Sequence, residues 1–167
     1  MSNSKKFNMD TNLVYMPAFR ARQQEMIVLR SFDFENKIYP LIEIVKEHDR
    51  KRENGNQKEF QEIYCDLIKN ISAQKVFVDL PVYLKVSGSM QSEVVSFSLD
   101  VIDNLEKRCE YLNLLSDQNS KIIPVISSYL LKTGEHGTIQ KQHDLLKKNF
   151  STFAYRITPS AFSTEFP

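Results

Sequence analysis

Glycine and proline are scarce in this chain. Four glycines and six prolines among 167 residues exclude a low-complexity or linker protein. Charge of one sign is also lacking. Lysine and arginine number 22 against 21 acidic residues, so the net charge of +1 gives no bulk electrostatic case for nucleic acid or an anionic membrane surface. No apolar run approaches the roughly 20 residues that span a bilayer. The opening MSNSKKFNMDTN has lysines but no apolar core behind them, so it does not read as a secretory signal, and a cytoplasmic location is expected. The two cysteines, Cys65 and Cys109, form neither a CxxC nor a metal-ligand spacing and are expected as free thiols.

Catalytic motifs are missing too. KVSGSMQS, residues 85–92, has Ser and Gly but not the GxxxxGK[ST] order of a phosphate-binding loop. No GxGxxG is present, which excludes little beyond dinucleotide binding. His48, His136 and His143 make no HExxH, and Ser127 and Ser128 lack a GxSxG elbow, so neither a zinc site nor a serine hydrolase follows. Tyr83, Tyr129 and Tyr155 have no basic stripe beside them and are expected to pack around the sheet ends. No catalytic residue is assigned.

What the chain does have is five short apolar runs: LVYMPAF, KIYPLIEIV, KVFVDLPVYL, KIIPVISSY and TFAYRIT. Between them the spacing predicts helices over about 21–31, 58–71, 92–115 and 138–150. Phe60, Ile63, Leu67, Ile68 and Ile71 trace one helical face. Val95, Leu99, Ile102, Leu105, Cys109 and Leu112 are expected along one side of the third helix, and Ile139, His143, Leu146 and Phe150 along the fourth. Phe153, Tyr155 and Ile157 alternate as a fifth strand. Residues 1–12 read as a flexible tail and the charged stretch 46–57 as a solvated loop.

Strand–helix alternation argues for a parallel sheet with right-handed crossovers. An open doubly wound sheet and part of a (β/α)₈ barrel both fit. The reading adopted is α/β: a partial barrel-like parallel sheet of about four βα units plus a fifth strand, spanning 13–167, the N-terminal half of a barrel-like domain.

At that point the residues resemble a family. Tyr15 and Pro17, then Arg20, Arg22, Glu25 and Leu29, then Pro40, Leu41, Ile42 and Glu43 look like the opening of the beta protein family, and VFVDLP around Asp79 is similar to its third strand. Gln24 stands where the family often has glycine, and Val28 where alanine is usual. The family is named for a tailed-bacteriophage protein and is widespread in bacteria. The resemblance implies a barrel-like fold, a phage or defence setting and a truncated chain, with no established activity and hence no mechanism.

Polar residues stand where the strands should end: Arg20, Glu43, Asp79, Ser127 with Ser128, and Arg156. That is where (β/α) barrels present functional groups. Arg20, Arg22, Glu43, Asp79 and Arg156 are the candidate ligand-binding residues, with Glu25 as support. Glu43 and Asp79 could hold a divalent cation through oxygen, while the arginines suit an anion. The plainer expectation is that the two carboxylates pair with these arginines, and Glu25 with Arg22 or Arg30. A non-enzymatic interaction module is the competing function. It would meet a partner chain or a second copy at the open sheet edges, Leu13–Phe19 or Phe153–Ile157.

Overall fold

The structure, a computed structural model, describes residues 13–48, 58–81, 90–128 and 137–157. The expected tail at 1–12, most of the charged loop, the 85–92 turn up to Ser89, and Tyr83, Tyr129 and His136 lie outside the described residues. Five strands form one open parallel sheet in sequential order: β1 (Ala18–Arg20), β2 (Leu41–Glu43), β3 (Val76–Asp79), β4 (Ile122–Ser127) and β5 (Ala154–Arg156). The helices are α1 (Gln23–Ser31), α2 (Phe60–Lys69), α3 (Ser92–Asp103), α4 (Leu105–Asn113) and α5 (Thr138–Leu146).

The strands are shorter than their apolar runs. Tyr15 touches Ile38 in a single bridge, and Ile44 and Val45 lie beyond the end of β2 although both are buried. Burial, not ladder pairing, set the length of those runs. Every residue of β3 and β4 is buried, as expected of parallel strands covered on both faces.

Two apolar clusters sit on opposite faces of the sheet. On one, Ile42, Ile44, Val76, Val78, Leu80, Ile122 and Ile126 meet residues of all five helices. The helix-side stripe is clearest in α2, where Phe60, Ile63, Tyr64, Leu67 and Ile68 are buried at helical spacing. Full burial of one such side chain is worth about 1.5–3 kcal/mol, and packing of this stripe rather than intrinsic propensity holds the helix in place. On the other face a smaller cluster joins Tyr39, Leu41, Phe77, Ile123 and Val125, with Ala154 against it. Period-2 alternation separates the sets: Leu41 and Glu43 share one face of β2, Ile42 the other. Helices confined to one face follow from sequential strand order with crossovers of one hand.

The expected third helix is two. Asn104 interrupts it with φ −135° and ψ 98°, and its side-chain oxygen accepts the Lys107 N–H at 2.8 Å. Asparagine competes for backbone hydrogen bonds in this way and favours caps over helix interiors. The break changes which face is buried. In α3 it is Val94, Phe97, Ser98 and Val101, while Leu99 is exposed and Val95 and Ile102 are half-buried; the expected line resumes only in α4, with Leu105, Cys109 and Leu112. The last helix stops at Leu146, four residues early, and buries Thr138, Gln142 and Leu146 instead of His143, which packs half-buried on Phe153. Tyr155 is exposed rather than packed at the sheet end.

The α3–α4 break yields a prediction. Asn104→Ala removes the α4 cap and should cost about 1 kcal/mol, the usual worth of such a residue. Urea unfolding of the two proteins should show a lower midpoint at unchanged slope; an unchanged midpoint would mean the cap contributes nothing.

Candidate functional site

The register of the first three strands sets the site. Arg20 lies opposite Glu43, and Glu43 opposite Asp79, so three charged residues stand side by side at the carboxyl ends of β1, β2 and β3. In-register neighbours project to one face, here the one carrying Leu41 and Phe77 a layer below. Arg156 ends β5, opposite Ser127.

These side chains form a ladder of alternating charge. Arg20 Nε lies 3.7 Å from Glu43 Oε2, and Arg156 Nη2 donates to Glu43 Oε1 at 2.7 Å. Arg156 Nε sits 3.0 Å from Asp79 Oδ2, and Arg108 Nη2 donates to Asp79 Oδ1 at 2.9 Å. β5 is three strands from β2, about 14 Å in a flat sheet. The Arg156–Glu43 contact therefore bridges over β3 and β4, which requires a sheet that curls toward the two side chains.

Exposure grades along the ladder. The Arg20 side chain is 47% exposed, Arg156 34%, Glu43 16%, Asp79 1% and Arg108 0%. The outer arginines face solvent, and the inner ion pair is sealed. A sealed ion pair repays its desolvation only with good geometry and further hydrogen bonds. Arg108 has them: Nη1 donates to the Leu80 carbonyl at 2.6 Å, Nη2 also to the Val125 carbonyl at 2.9 Å, and Nε to Gln142 Oε1 at 3.4 Å. Gln142 in turn accepts from the Ser127 N–H at 3.2 Å and donates to the carbonyls of Ser127 at 3.0 Å and Thr138 at 3.1 Å. The ends of β3 and β4 are thus tied to α4 and α5 through one guanidinium and one amide.

The remaining candidates divide. Glu25 pairs with neither Arg22 nor Arg30. Its carboxylate accepts the backbone N–H of Arg20, which fixes the turn from β1 into α1, and Arg30 pairs with Asp66 instead. Arg22 is exposed at the start of α1, where its backbone N–H donates to the Arg20 carbonyl at 2.7 Å, and among the described residues no side-chain contact joins it to the ladder. Ser127 and Ser128 are buried at the end of β4. Among the described residues no group of three or more His, Cys, Asp or Glu is placed to hold a metal ion. The divalent-cation reading of Glu43 and Asp79 also meets an electrostatic objection, since three guanidinium groups already contact the two carboxylates. Cys65 and Cys109 are free thiols, and burial pushes the Cys109 thiol up to about 11, which makes it a poor nucleophile. A cavity of about 290 Å³ lined by Asn119, Lys148 and Phe150 opens before β4 and β5, at the opposite end of the sheet from the ladder.

Arg108 and Gln142 were missed from the sequence, yet each left a signal. Arg108 stands three residues after Leu105 and four before Leu112, and Gln142 four residues from both Thr138 and Leu146. A polar side chain on an apolar stripe has to find buried partners.

The model of one family, described as Beta protein, matches residues 15–167, which include every member of the ladder. The chain belongs to the Beta protein family. No curated protein matches it. The match agrees with the resemblance carried by Tyr15, Pro17, Arg20, Glu43 and Asp79, and in this Beta protein family chain the last three are neighbours in the fold. Among the described residues no helix is long and apolar enough to cross a membrane.

The grading of burial generates a prediction. Arg108→Met leaves Asp79 buried beside the single partner Arg156 and strips donors from three further acceptors. Breaking a sealed pair in this way costs about 3–5 kcal/mol. Urea unfolding checks it. A loss of under about 1 kcal/mol would show that the guanidinium contributes no more than a surface pair does.

Proposed function

We propose that this chain binds an anionic ligand at the carboxyl ends of its strands, on the rim formed by Arg20, Glu43, Asp79 and Arg156. One observation carries the reading: among the described residues three guanidinium groups gather on the two carboxylates of the rim, and the outer two, Arg20 and Arg156, keep 47% and 34% of their side chains exposed. Arginine suits phosphate and carboxylate through its planar fork of donors. Arg22 lies outside the ladder but follows β1 at its carboxyl end, where it adds positive charge to the approach. A phage- or defence-associated role is part of the proposal on the strength of the family resemblance alone, and a cytoplasmic location on the reading of MSNSKKFNMDTN as no secretory signal. No reaction is proposed.

Titration of inorganic phosphate into wild type, Arg156→Gln and Glu43→Gln tests it. Arg156→Gln should weaken binding about tenfold. Glu43→Gln should strengthen it by roughly threefold or more, because the substitution removes the anion that competes for Arg20 and Arg156. Tighter magnesium than phosphate binding, abolished by Glu43→Gln, would reverse the reading in favour of a cation.

A second reading rests on the sheet edges. Val14, Tyr15 and Met16 beside β1, and Tyr155 and Ile157 at β5, are exposed apolar residues at the two open ends of the sheet. Unpaired edges with apolar side chains favour pairing with another chain, and the half-barrel division of 13–167 belongs with this reading. Sedimentation at rising concentration should show self-association of the 167-residue chain. A stable monomer at high concentration would rule this reading out.

A further inference from the structure

Arg156 covers a carboxylate oxygen that it does not satisfy. Its Nε is 3.0 Å from Asp79 Oδ2, but the N–H is not directed at that oxygen, which is sealed from solvent and accepts no hydrogen bond. The carboxylate cannot turn to improve the contact. Its other oxygen is held by Arg108, which is itself fixed by the Leu80 and Val125 carbonyls and by Gln142. Asp79 therefore presents one charged, pre-positioned acceptor beneath a guanidinium that is one-third exposed and belongs to an edge strand of three residues.

We propose that the ligand of this rim is a small anion that also carries a hydroxyl or ammonium donor, the anionic group pairing with Arg156 and the donor bonding to Asp79 Oδ2. This rests on the anion-binding reading above and deepens it. An anion that draws Arg156 outward removes the counter-charge from Oδ2, and a buried carboxylate left with half its partners is costly. A bare anion therefore binds against its own effect. A ligand with a donor on a neighbouring carbon replaces the lost contact with a charge-assisted hydrogen bond, which is stronger than a neutral one. Sites with a fixed buried acceptor discriminate strongly against analogues that lack the matching donor. The ligand is a free small molecule, because Asp79 is 1% exposed and the layer below it, Leu41, Phe77 and Ile123, is filled.

Calorimetric titration at pH 8 with methyl phosphate, whose dianion has no donor, against glycerol 3-phosphate and phosphoethanolamine tests the proposal. Wild type should bind at least one donor-bearing probe about tenfold or more tighter than methyl phosphate. Asp79→Asn replaces Oδ2 or its partner oxygen by an amide and should abolish that preference while methyl phosphate still binds. The ¹³C carboxyl resonance of Asp79 in wild type should shift with the preferred probe and move less with methyl phosphate; this decides the matter if Asp79→Asn does not fold. Equal affinity for all three probes, a preference that survives Asp79→Asn, or an unmoved Asp79 resonance would overturn the proposal and leave the anion site standing. Failure of every probe to bind would instead remove the anion-binding reading on which it rests.

Discussion

The buried guanidinium of Arg108 is the constraint on which the carboxyl end of this sheet depends. It comes from a helix, yet its acceptors are on β3, on β4, after β3 and on α5. A charge fully removed from water has to be matched almost completely, since each missing partner costs more than a present one contributes. The position of α4 is therefore fixed by polar geometry as well as by the apolar packing of Leu105, Cys109 and Leu112. The break at Asn104 belongs to the same constraint. A single straight helix would have to bury one face throughout, whereas two segments let α3 turn Val94, Phe97 and Val101 inward and α4 turn Arg108 inward.

From that fixed point the ladder loosens outward. Asp79 is immobilised by Arg108, Arg156 spans Asp79 and Glu43 from an edge strand, and Arg20 holds Glu43 only at 3.7 Å with nearly half its side chain exposed. Coulombic interactions weaken as water enters between charges, so the inner pair is structural and the outer ones are exchangeable. A rim of this kind keeps a carboxylate in place while its outer arginines stay in contact with water, the feature on which the anion-binding proposal draws.

The alternation of runs made the parallel sheet and its strand-end charges legible in the sequence, because the periodicities of strand and helix differ and each run closes on a polar residue. Arg20, Glu43, Asp79 and Arg156 do meet, and Glu43 and Asp79 do pair with arginines. Arg22 and Glu25 were grouped with them by proximity in sequence, but a turn separates them: Glu25 is used up on the Arg20 backbone, and Arg22 lies outside the ladder. Arg108 and Gln142 escaped because charge and polarity were read as marks of solvent, and only tertiary packing shows where an amphipathic helix spends its polar positions. The same bias put Leu99 inside and Gln142 out of view. Helix length was overestimated wherever a capping residue, Asn104, or a tertiary stop after Leu146 ended a continuing apolar pattern.

Curvature links the fold to the chemistry. Sequential strand order alone is compatible with any parallel sheet whose crossovers share a hand, and an open sheet twists without having to close. The Arg156–Glu43 contact across β3 and β4 is a stronger statement, because strands three places apart meet through their side chains only on the inner side of a bend. The polar ladder and the small cluster of Leu41, Phe77, Ile123 and Val125 beneath it both occupy that inner side. An apolar layer with charge at its carboxyl end lowers the dielectric under the ladder and strengthens every interaction made there. The bend that joins Arg156 to Glu43 is thus also what gives Asp79 its seal, and a flat sheet with the same residues would present separate solvated charges.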